Sequence, residues 1–388
     1  MSIKYKINNS SIEDIVQHLN KCSKFFIPEL KTYVNISEYS NKIFNKSVRF
    51  EAYDGDDLIG LLALYINEDD KSTFITNLSV DINYQRTGVS KKLLENCKNF
   101  NTHQKYDFIL LEVFKNNINA INFYKKNNFK ILKKMEDKLI MKTTIRNYDQ
   151  EFFDTSDHKY VYNFDFDVMH HYMVRSFEPF IKKDNVLELG SFKGDFTEKI
   201  LPLFKNITCI EGSESAVKIA KQKFSDNVEI IHSTFEDVNL EKSFDNVILT
   251  HVLEHIDDPV GLLKKINDNW LTDDGFLFVV CPNANAPSRQ IAVKMGLITH
   301  NNAITDSEEK HGHRITYTLD TLERDIVNSG LQVVYRSGIF FKALANFQWD
   351  KLLNTDIITN EYLEGCYKLG QQYPDLCSSI FFVCRKGK

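Results

Sequence analysis

Long apolar runs, a signal peptide and paired cysteines are all missing from this 388-residue sequence. No apolar run approaches the roughly 20 residues that a transmembrane helix needs, and the first residues (MSIKYK) lack the apolar core of a secretion signal. The seven cysteines are odd in number and show no CxxC spacing, which disfavours a disulfide framework and a thiolate zinc site. We therefore expect a cytoplasmic protein without a membrane partner.

Charge of one sign does not dominate the chain, whose formal net charge is −5 at pH 7. Within residues 1–148 basic side chains outnumber acidic ones by 23 to 17, and in the remainder acidic ones outnumber basic ones by 36 to 25. A basic first part suits an anionic ligand, and the acidic excess of the second part disfavours a nucleic-acid partner. Ordinary solvated faces explain the same pattern equally well, so the motifs have to identify the function.

The composition is that of a globular chain with room for more than one domain. It is 43% hydrophobic and 26% charged, as packed domains are, and 388 residues exceed the usual size of one domain. A polar, acidic segment at residues 146–154 predicts a linker. We therefore expect one domain at residues 1–148 and a second at residues 149–388.

The first domain contains a strand, a short turn and a helix in succession. Residues 74–80 (FITNLSV) predict the strand, residues 85–90 (QRTGVS) the turn, and Leu93, Leu94 and Cys97 fall on one side of the following helix. The backbone N–H groups of such a turn, together with the helix N-terminus, form an anion site. Further strands are predicted at residues 48–53, 58–66, 108–113, 129–133 and 139–143.

Residues 45–143 resemble the GNAT family of acetyl-CoA-dependent N-acetyltransferases. Gln85, Gly88 and Ser90 fill the family pattern Q/R-x-x-G-x-G/A, with Ser90 in place of the usual glycine or alanine. The match continues downstream at Leu111, Val113, Asn116, Asn119, Ala120, Phe123, Tyr124 and Phe129. Asn128 stands where the family has glycine, and asparagine is the residue next best suited to a left-handed C-cap.

The resemblance implies a mixed sheet with helices and acetyl-CoA as the cofactor. The turn from Arg86 to Ser90 would hold the CoA pyrophosphate, and the strand before it would pair with the pantetheine amides. The cofactor contacts implied in this way are Leu78, Val80, Arg86, Gly88, Ser90 and Asn119.

Two catalytic residues follow from the same resemblance. Tyr124 would protonate the departing thiolate, and Glu112, 12 residues before it, would be the base, as the glutamate is in the ribosomal-protein alanine acetyltransferases. An amine must lose a proton to attack a thioester, so a carboxylate is the expected base, directly or through water. The structural alternatives are an exposed strand residue for Glu112 and a packed aromatic for Tyr124.

In the second domain, an alternation of strands and helices begins at residues 185–195 (NVLELGSFKGD). These residues predict a buried strand, a turn with two glycines and the start of a helix. Further strands, most of them separated by helices, are predicted at residues 207–211, 228–232, 244–250, 275–280, 331–335 and 379–384. This alternation predicts a Rossmann-like, seven-stranded, doubly wound α/β sheet. Such sheets bind ligands at the carboxyl ends of their strands.

Two cofactors fit this arrangement, the dinucleotide of a dehydrogenase and S-adenosyl-L-methionine (SAM). The third glycine of G-x-G-x-x-G is missing from the turn, which favours SAM. Glu211 ends the second strand, where a carboxylate accepts both ribose hydroxyls. Phe235 and Glu236 follow the third strand, where an acidic side chain suits an adenine amino group.

Residues 160–340 resemble the class I SAM-dependent methyltransferases. Residues 188–194 fill E-x-G-x-x-x-G, and residues 253–259 (LEHIDDP) fill L-E-H-I-x-D-P, with Trp270 and Gly275 following. Phe192 stands at the middle position of the first motif, where the family has glycine. The resemblance implies SAM as the cofactor, with the methionine part beside the glycines, and these contacts: Glu188, Gly190, Ser191, Gly194, Glu211, Gly212, Phe235, Glu236, Thr250 and His251.

His251, Glu254 and His255 formally fit the H-x-x-E-H pattern of zinc peptidases. Zinc would need a third protein ligand and an open position, and this segment follows a buried strand within a methyltransferase pattern. His311 and His313 are a second metal-like pair. We predict no metal at either place.

The acceptor site is predicted in the insertion that runs from the fifth strand to about residue 317, because long polar insertions at the ligand end carry binding residues. Its titratable side chains are His300, His311, His313, Arg314 and Tyr317. Histidine titrates near neutrality, so His255 and His313 are the candidates for removing a proton from an acceptor hydroxyl.

These observations predict a bifunctional enzyme that acetylates an amine and methylates a hydroxyl or amine. Similar methyltransferases with NAN, HGHR and a following tyrosine occur in bacterial surface-polysaccharide assembly, which implies a sugar-linked small-molecule acceptor. The alternatives are a protein or small-amine acetyltransferase with an independent methyltransferase, and a half that serves as a non-catalytic scaffold. Aromatic residues at 341–375 are interpreted as a sugar-binding surface, a homodimer interface or core.

Overall fold

The computed structural model describes residues 3–157, 162–224 and 227–387. The chain forms two compact units, Met1–Asn147 and Tyr148–Lys388, and each contains one seven-stranded sheet. Within the described ranges, no helix is both long enough and apolar enough to cross a bilayer.

The first unit surrounds a sheet with the strand order β1-β2-β3-β4-β5-β7-β6. Its elements are β1 (Lys4–Ile7), α1 (Ile12–Cys22), α2 (Ile36–Lys46), β2 (Val48–Asp54), β3 (Asp57–Asn67), β4 (Ser72–Val80), α3 (Val89–Gln104), β5 (Phe108–Phe114), α4 (Ile118–Lys126), β6 (Lys130–Lys134) and β7 (Lys138–Thr144). The β4–β5 pair is parallel, and the other neighbours are antiparallel. The predicted mixed sheet is confirmed, with β1 as a further edge strand that the sequence pattern missed.

Both faces of this sheet are covered, because alternate strand residues point to opposite sides. Leu62 and Leu64 of β3 pack in the core cluster that includes residues of α3 and α4. Leu61 and Ala63 of the same strand pack in the cluster that includes residues of α1 and α2. The polar turn before α3 therefore lies at the end of a sheet with two covered faces.

The second unit surrounds a sheet with the order β10-β9-β8-β11-β12-β14-β13. Its elements are α5 (Tyr148–Asp157), α6 (His170–Phe177), β8 (Asn185–Leu189), α7 (Asp195–Ile200), β9 (Asn206–Glu211), α8 (Glu214–Lys223), β10 (Val228–His232), β11 (Phe244–Thr250), α9 (Pro259–Lys265), β12 (Leu271–Pro282), α10 (Pro287–Lys294), α11 (Asp306–Lys310), α12 (Leu319–Asn328), β13 (Gln332–Phe341), α13 (Asn346–Leu353), α14 (Asn360–Gln372) and β14 (Cys377–Arg385).

Strands β8 to β12 are parallel to one another, whereas β14 is inserted between β12 and β13 and is antiparallel to both. The strand order reverses between β8 and β11, which is the topological switch point where open α/β sheets bind ligands. Core clusters cover both faces, since Val186 packs on one side of β8 and Leu187 and Leu189 on the other. The predicted Rossmann-like, seven-stranded, doubly wound fold is confirmed.

The predicted linker at residues 146–154 is wrong in its secondary structure, because helix α5 begins at Tyr148. Tyr148 and Phe152 are four residues apart and therefore share one helix face. Phe152 is buried, with its ring centroid 5.2 Å from that of Phe192. The segment is polar on average, so its composition did not indicate that Tyr148 and Phe152 make apolar contacts.

Candidate active sites

Strands β4 and β5 of the first unit separate partway along their length. Their parallel pairing ends at Ile75 and Leu111, although β4 continues to Val80 and β5 to Phe114. The pairing of β4 with β3 shifts register at the same level, between Ile75 and Asn77. The edge of β4 that carries Leu78 and Val80 is thereby exposed to a ligand that can pair with a strand through its amides.

The turn that follows β4 has an open approach. Gly88 is the N-cap of α3 with φ of +95°, and no atom lies within 4 Å of the position that a Cβ on this residue would take. Arg86 also has a positive φ, of 64°. The first turn of α3, which includes Ser90, therefore presents backbone N–H groups at an open approach, as anion sites at helix N-termini do.

Glu112 and Tyr124 lie in contrasting environments. Glu112 is exposed on β5, and its Oε2 is 2.8 Å from Nζ of Lys138. Tyr124 is buried on α4, where its ring packs against Phe123 and Phe129. Burial raises the pKa of the Tyr124 phenol, so this side chain holds its proton. A proton donor and a carboxylate acceptor are thus both present in the first unit.

Asn119, the remaining predicted CoA contact, is exposed in the first turn of α4. The turn is fixed by Asn117, whose Oδ1 accepts a hydrogen bond from the backbone N–H of Ala120.

The glycine turn after β8 has two positions that only glycine fits well. Gly190 has φ of +78°, and a Cβ on it would lie 2.5 Å from Cγ2 of Val252. Gly194 has φ of +81°, and a Cβ on it would overlap the ring of Phe224. Phe192 also adopts a positive φ, of 50°, which explains why glycine suits this position in the family.

Glu211, at the end of β9, holds the glycine turn in place. Its Oε2 accepts a hydrogen bond from the backbone N–H of Phe192 (2.8 Å), and its Oε1 accepts one from that of Ser213 (2.8 Å). Glu211 is buried at the carboxyl ends of β8 and β9, where a polar ligand binds in this fold.

Glu188 is buried in the sheet and contacts two neighbouring elements. Thr197 of α7 donates a hydrogen bond to its Oε2 (2.6 Å), and Cys209 Sγ of β9 lies 3.5 Å from the same oxygen. Burial raises the pKa of Glu188 to about 7. Ser191, next along the predicted cofactor turn, is also buried.

Helix α5 covers part of this region, and the sequence pattern did not assign it a site role. The ring of Tyr148 lies about 3 Å from where a Cβ on Gly212 would stand. Asp149 supports the N-terminus of α8, since its Oδ1 accepts hydrogen bonds from Oγ of the N-cap Ser213 (2.7 Å) and from the backbone N–H of Ser215 (2.9 Å). The spacing of Tyr148 and Phe152 was the signal that could have identified this covering helix.

The segment after β10 is fixed by one lysine. Nζ of Lys265 donates hydrogen bonds to the backbone carbonyls of Phe235, Glu236 and Val238. Phe235 is buried and Glu236 is exposed. An apolar ring beside an accessible carboxylate fits an adenine base, which has flat apolar faces and an amino group at its edge.

Thr250 ends β11, and His251 follows it with φ of 53°. Nε2 of His251 lies 3.2 Å from Oγ of Ser379. This hydrogen bond links the segment after β11 to β14.

The structure brings His255 and His313 together, although the whole of β12 and the insertion after it separate them in the sequence. The rings have centroids 4.5 Å apart. The backbone carbonyl of Glu254 accepts hydrogen bonds from the N–H groups of Arg314 (2.7 Å) and Ile315 (3.3 Å), which ties the two segments together. Burial lowers the pKa of His313 to about 4, so its imidazole is neutral at pH 7.

Other side chains of the insertion lie elsewhere. Tyr317 is completely buried, and its hydroxyl donates to Asp325 Oδ2 (3.3 Å), so it belongs to the core. His300 is exposed, and Nδ1 of His311 lies 2.5 Å from the backbone carbonyl of Ser307. In the aromatic segment at residues 341–375, Trp349 and Tyr367 are buried, whereas Tyr362 and Tyr373 are about half exposed.

Comparisons with known proteins identify both units. Residues 12–129 match the model of the acetyltransferase (GNAT) family, and residues 163–336 match that of a methyltransferase domain. Over 89 residues, 22% of this chain and 33% of the relative, the chain is 34% identical to malonyl-[acyl-carrier protein] O-methyltransferase 1 of Ilyobacter polytropus. Over 181 residues, 46% of this chain and 71% of the relative, it is 25% identical to the ubiquinone biosynthesis O-methyltransferase of Sinorhizobium fredii.

Among solved structures, the chain is similar to the PaiA N-acetyltransferase of Thermoplasma acidophilum in complex with coenzyme A, with a TM-score of 0.32 and 20% identity over 37% of this chain and 99% of that one. The chain spans about a third of the length of the first curated relatives that it matches.

The family matches confirm the two predicted domain types and their cofactors. The chain therefore contains a GNAT acetyltransferase domain, which implies acetyl-CoA as its cofactor, followed by a methyltransferase domain, which implies SAM.

Proposed function

We propose that the chain acetylates an amine and methylates a hydroxyl group of a small, sugar-linked acceptor, such as a nucleotide-linked amino sugar or another surface-glycan precursor. The pair His255 and His313, which lies after the strands that border the predicted SAM site, carries the methyl-transfer part of this proposal. Three of the similar proteins are named as O-methyltransferases and one as an N-methyltransferase, which favours a hydroxyl over an amine as the methyl acceptor.

In the acetyltransferase domain, the residues that would hold acetyl-CoA are the edge of β4 at Leu78 and Val80 and the turn from Arg86 to Ser90. The bound cofactor supplies a thioester carbonyl that an amine can attack. Glu112 accepts the proton of the attacking amine, directly or through water, and Lys138 holds its carboxylate in place. Tyr124 keeps its proton until a thiolate leaves and then donates it.

In the methyltransferase domain, Gly190, Gly194, Glu211, Phe235 and Glu236 would hold SAM, which supplies an electrophilic methyl group. Methyl transfer is an in-line displacement, so the chain has to align the acceptor and remove its proton. His313, which is neutral at pH 7, accepts that proton, and His255 lies against it to orient the ring or to share the proton.

The fusion of the two domains supports a shared pathway. We place both reactions in the cytoplasm, because all seven cysteines are unpaired and buried, and such thiols suit a reducing compartment. The exposed Tyr362 and Tyr373 are proposed to contact either a sugar ring or a second copy of the chain in a homodimer.

A double-label assay tests the proposal. The full chain is incubated with acetyl-CoA and SAM that carry different isotopes, together with a panel of nucleotide-linked amino sugars. We expect both labels to enter one acceptor, the acetyl label to be lost in Tyr124→Phe and the methyl label to be lost in His313→Gln. Absence of both labels from every sugar would overturn the assignment of the acceptor.

Two alternatives predict different results in the same assay. If the acetyl acceptor is a protein N-terminus or another amine, the acetyl label enters peptides and the methyl label enters an unrelated small molecule. If one half is a scaffold, calorimetry shows that its cofactor does not bind to the full chain. Either outcome would replace the shared-acceptor proposal.

A further inference from the structure

Three potential metal ligands converge beside the methyl-transfer site. The ligand atoms of Glu254, His255 and His313 all lie within 4.8 Å of one another, and among residues 3–157, 162–224 and 227–387 this is the one group of three or more such residues. In a tetrahedral zinc site, with bonds of about 2.1 Å, the ligand atoms are about 3.4 Å apart.

Glu254 gives an independent indication of a cation. Its side chain is 2% exposed, and within the part of the chain that the structure describes no hydrogen-bond donor reaches its Oε2. Its Oε1 lies 3.7 Å from Nδ1 of His251. A buried carboxyl oxygen without a partner is costly, and a bound cation is a partner that removes this cost.

We propose that Glu254, His255 and His313 form a binding site for one divalent transition-metal ion, and that Zn²⁺ suits this donor set best. Two imidazoles and one carboxylate match the ligands that zinc and related transition metals accept. Mg²⁺ and Ca²⁺ prefer sites built from oxygen alone. Three protein ligands leave a fourth position for an oxygen of the acceptor or for water.

The backbone around the three ligands is already organised. The carbonyl of Glu254 accepts the N–H groups of Arg314 and Ile315, and the N–H of His313 donates to the carbonyl of Glu308 (2.9 Å). The Glu308 carboxylate in turn pairs with Arg289 (2.6 Å) in a largely buried position. Such outer contacts orient the ligands of metal sites.

This set differs from the H-x-x-E-H pattern that the sequence presents. That pattern would use His251 and His255 as ligands, whereas Nε2 of His251 lies within hydrogen-bond distance of Ser379 Oγ. The third ligand that zinc requires comes from His313, beyond β12, and no local motif could supply it. The sequence predicted no metal here partly because a third ligand was missing, and His313 is a candidate for that ligand.

The catalytic role of the metal rests on the proposed methyl transfer, although its binding does not. The ion binds the acceptor oxygen and lowers the pKa of the hydroxyl, so that the proton leaves to solvent. The bond from this oxygen to the methyl carbon then forms as the sulfur–methyl bond of the cofactor breaks, and the cofactor leaves as the neutral thioether. With the ion bound, His255 and His313 act as its ligands and the proton goes to solvent, so the role of His313 as the proton acceptor proposed above applies to the metal-free chain alone.

Metal binding is tested on the full chain, without an affinity tag and after chelation and removal of the chelator. We expect Zn²⁺ alone to bind with a stoichiometry of one per chain in calorimetry, and Co²⁺ alone to give the visible absorption of a tetrahedral site. Glu254→Gln and His313→Asn should each weaken binding by more than about 100-fold, since changes outside the ligand set already cost about 10–100-fold. His300→Asn is the matched control from the same insertion and should bind as the wild type does.

Folding of each variant is checked by circular dichroism and by SAM binding, which need no metal. Failure of wild-type chain to bind Zn²⁺ or Co²⁺ stoichiometrically would overturn the site, and so would unchanged binding in folded Glu254→Gln and His313→Asn. Stoichiometric binding without methylation of any sugar would leave the metal site standing and overturn the proposed acceptor. Full methylation by metal-free chain would overturn the catalytic role of the ion.

Discussion

Gly190 and Val252 are so close that a Cβ on the glycine would lie 2.5 Å from Cγ2 of the valine. The contact joins the turn after β8 to the segment after β11, which are the two strands on either side of the topological switch point. It therefore fixes the distance between the predicted methionine site and the segment that carries His255.

Gly190→Ala tests this contact. The substitution adds a steric overlap to a left-handed conformation that costs an L-residue about 1–2 kcal/mol, so we expect the SAM affinity to fall at least about tenfold. Gly296→Ala is the matched control, because Gly296 has φ of +73° but no atom within 4 Å of a Cβ. Calorimetry with SAM measures both variants, and equal effects would show that backbone strain, not the contact with Val252, determines the loss.

Glu211→Gln tests the carboxylate that holds the glycine turn. The two backbone N–H groups that it accepts need two acceptor oxygens, and glutamine has only one. We expect a loss of about 2 kcal/mol in the free energy of unfolding and weaker SAM binding. Glu214→Gln, which removes an exposed charge three residues later, should change neither quantity, and denaturant unfolding with SAM calorimetry checks both.

Phe152→Ala tests whether helix α5 stabilises the turn that it covers. Phe152 is 6% exposed against Phe192, whereas the adjacent Phe153 is 49% exposed. We expect Phe152→Ala to destabilise the second unit by about 3 kcal/mol and to weaken SAM binding, and Phe153→Ala to leave both nearly unchanged. Equal SAM affinities for the two variants would contradict a role of α5 in the cofactor site.

Tyr124→Phe tests the proposed acid of the acetyltransferase domain. The phenyl ring keeps the packing against Phe123 and Phe129, so the melting temperature should not change. We expect kcat for acetyl transfer to fall by about 10²–10⁴-fold, as loss of a general acid does. Tyr106→Phe, which removes another phenol hydroxyl, one that donates to Glu68, is the control, and an undiminished rate in Tyr124→Phe would assign the tyrosine to packing.

Local patterns predicted those parts of the molecule that depend on neighbouring residues in the sequence. The glycine turn after β8 and the turn before α3 were recognisable because strand, turn and helix follow one another directly. The pairing of His255 with His313 was not, since it depends on backbone hydrogen bonds between Glu254 and a distant insertion. Helix α5 was missed for a related reason, because its apolar residues have partners only once Phe192 and Gly212 are in place.

The last prediction concerns Glu188, whose burial raises its pKa to about 7 from the ordinary 4.5. The folded chain therefore binds this proton more tightly than the unfolded chain does, so the free energy of unfolding falls as the pH rises from about 4.5 to 7. A shift of this size corresponds to roughly 3 kcal/mol between the two ends of that window. The loss is complete above pH 7 and absent below about pH 4.5.

Glu188→Gln removes the titration but keeps an oxygen that accepts the hydrogen bond from Thr197. We expect the variant to equal the wild type in stability near pH 4.5 and to exceed it at pH 8, when both are measured by urea unfolding. Glu198→Gln, an exposed neighbour on α7, should follow the wild type at both pH values. If the difference in the free energy of unfolding between wild type and Glu188→Gln does not change with pH, Glu188 is ionised in the folded chain throughout this range.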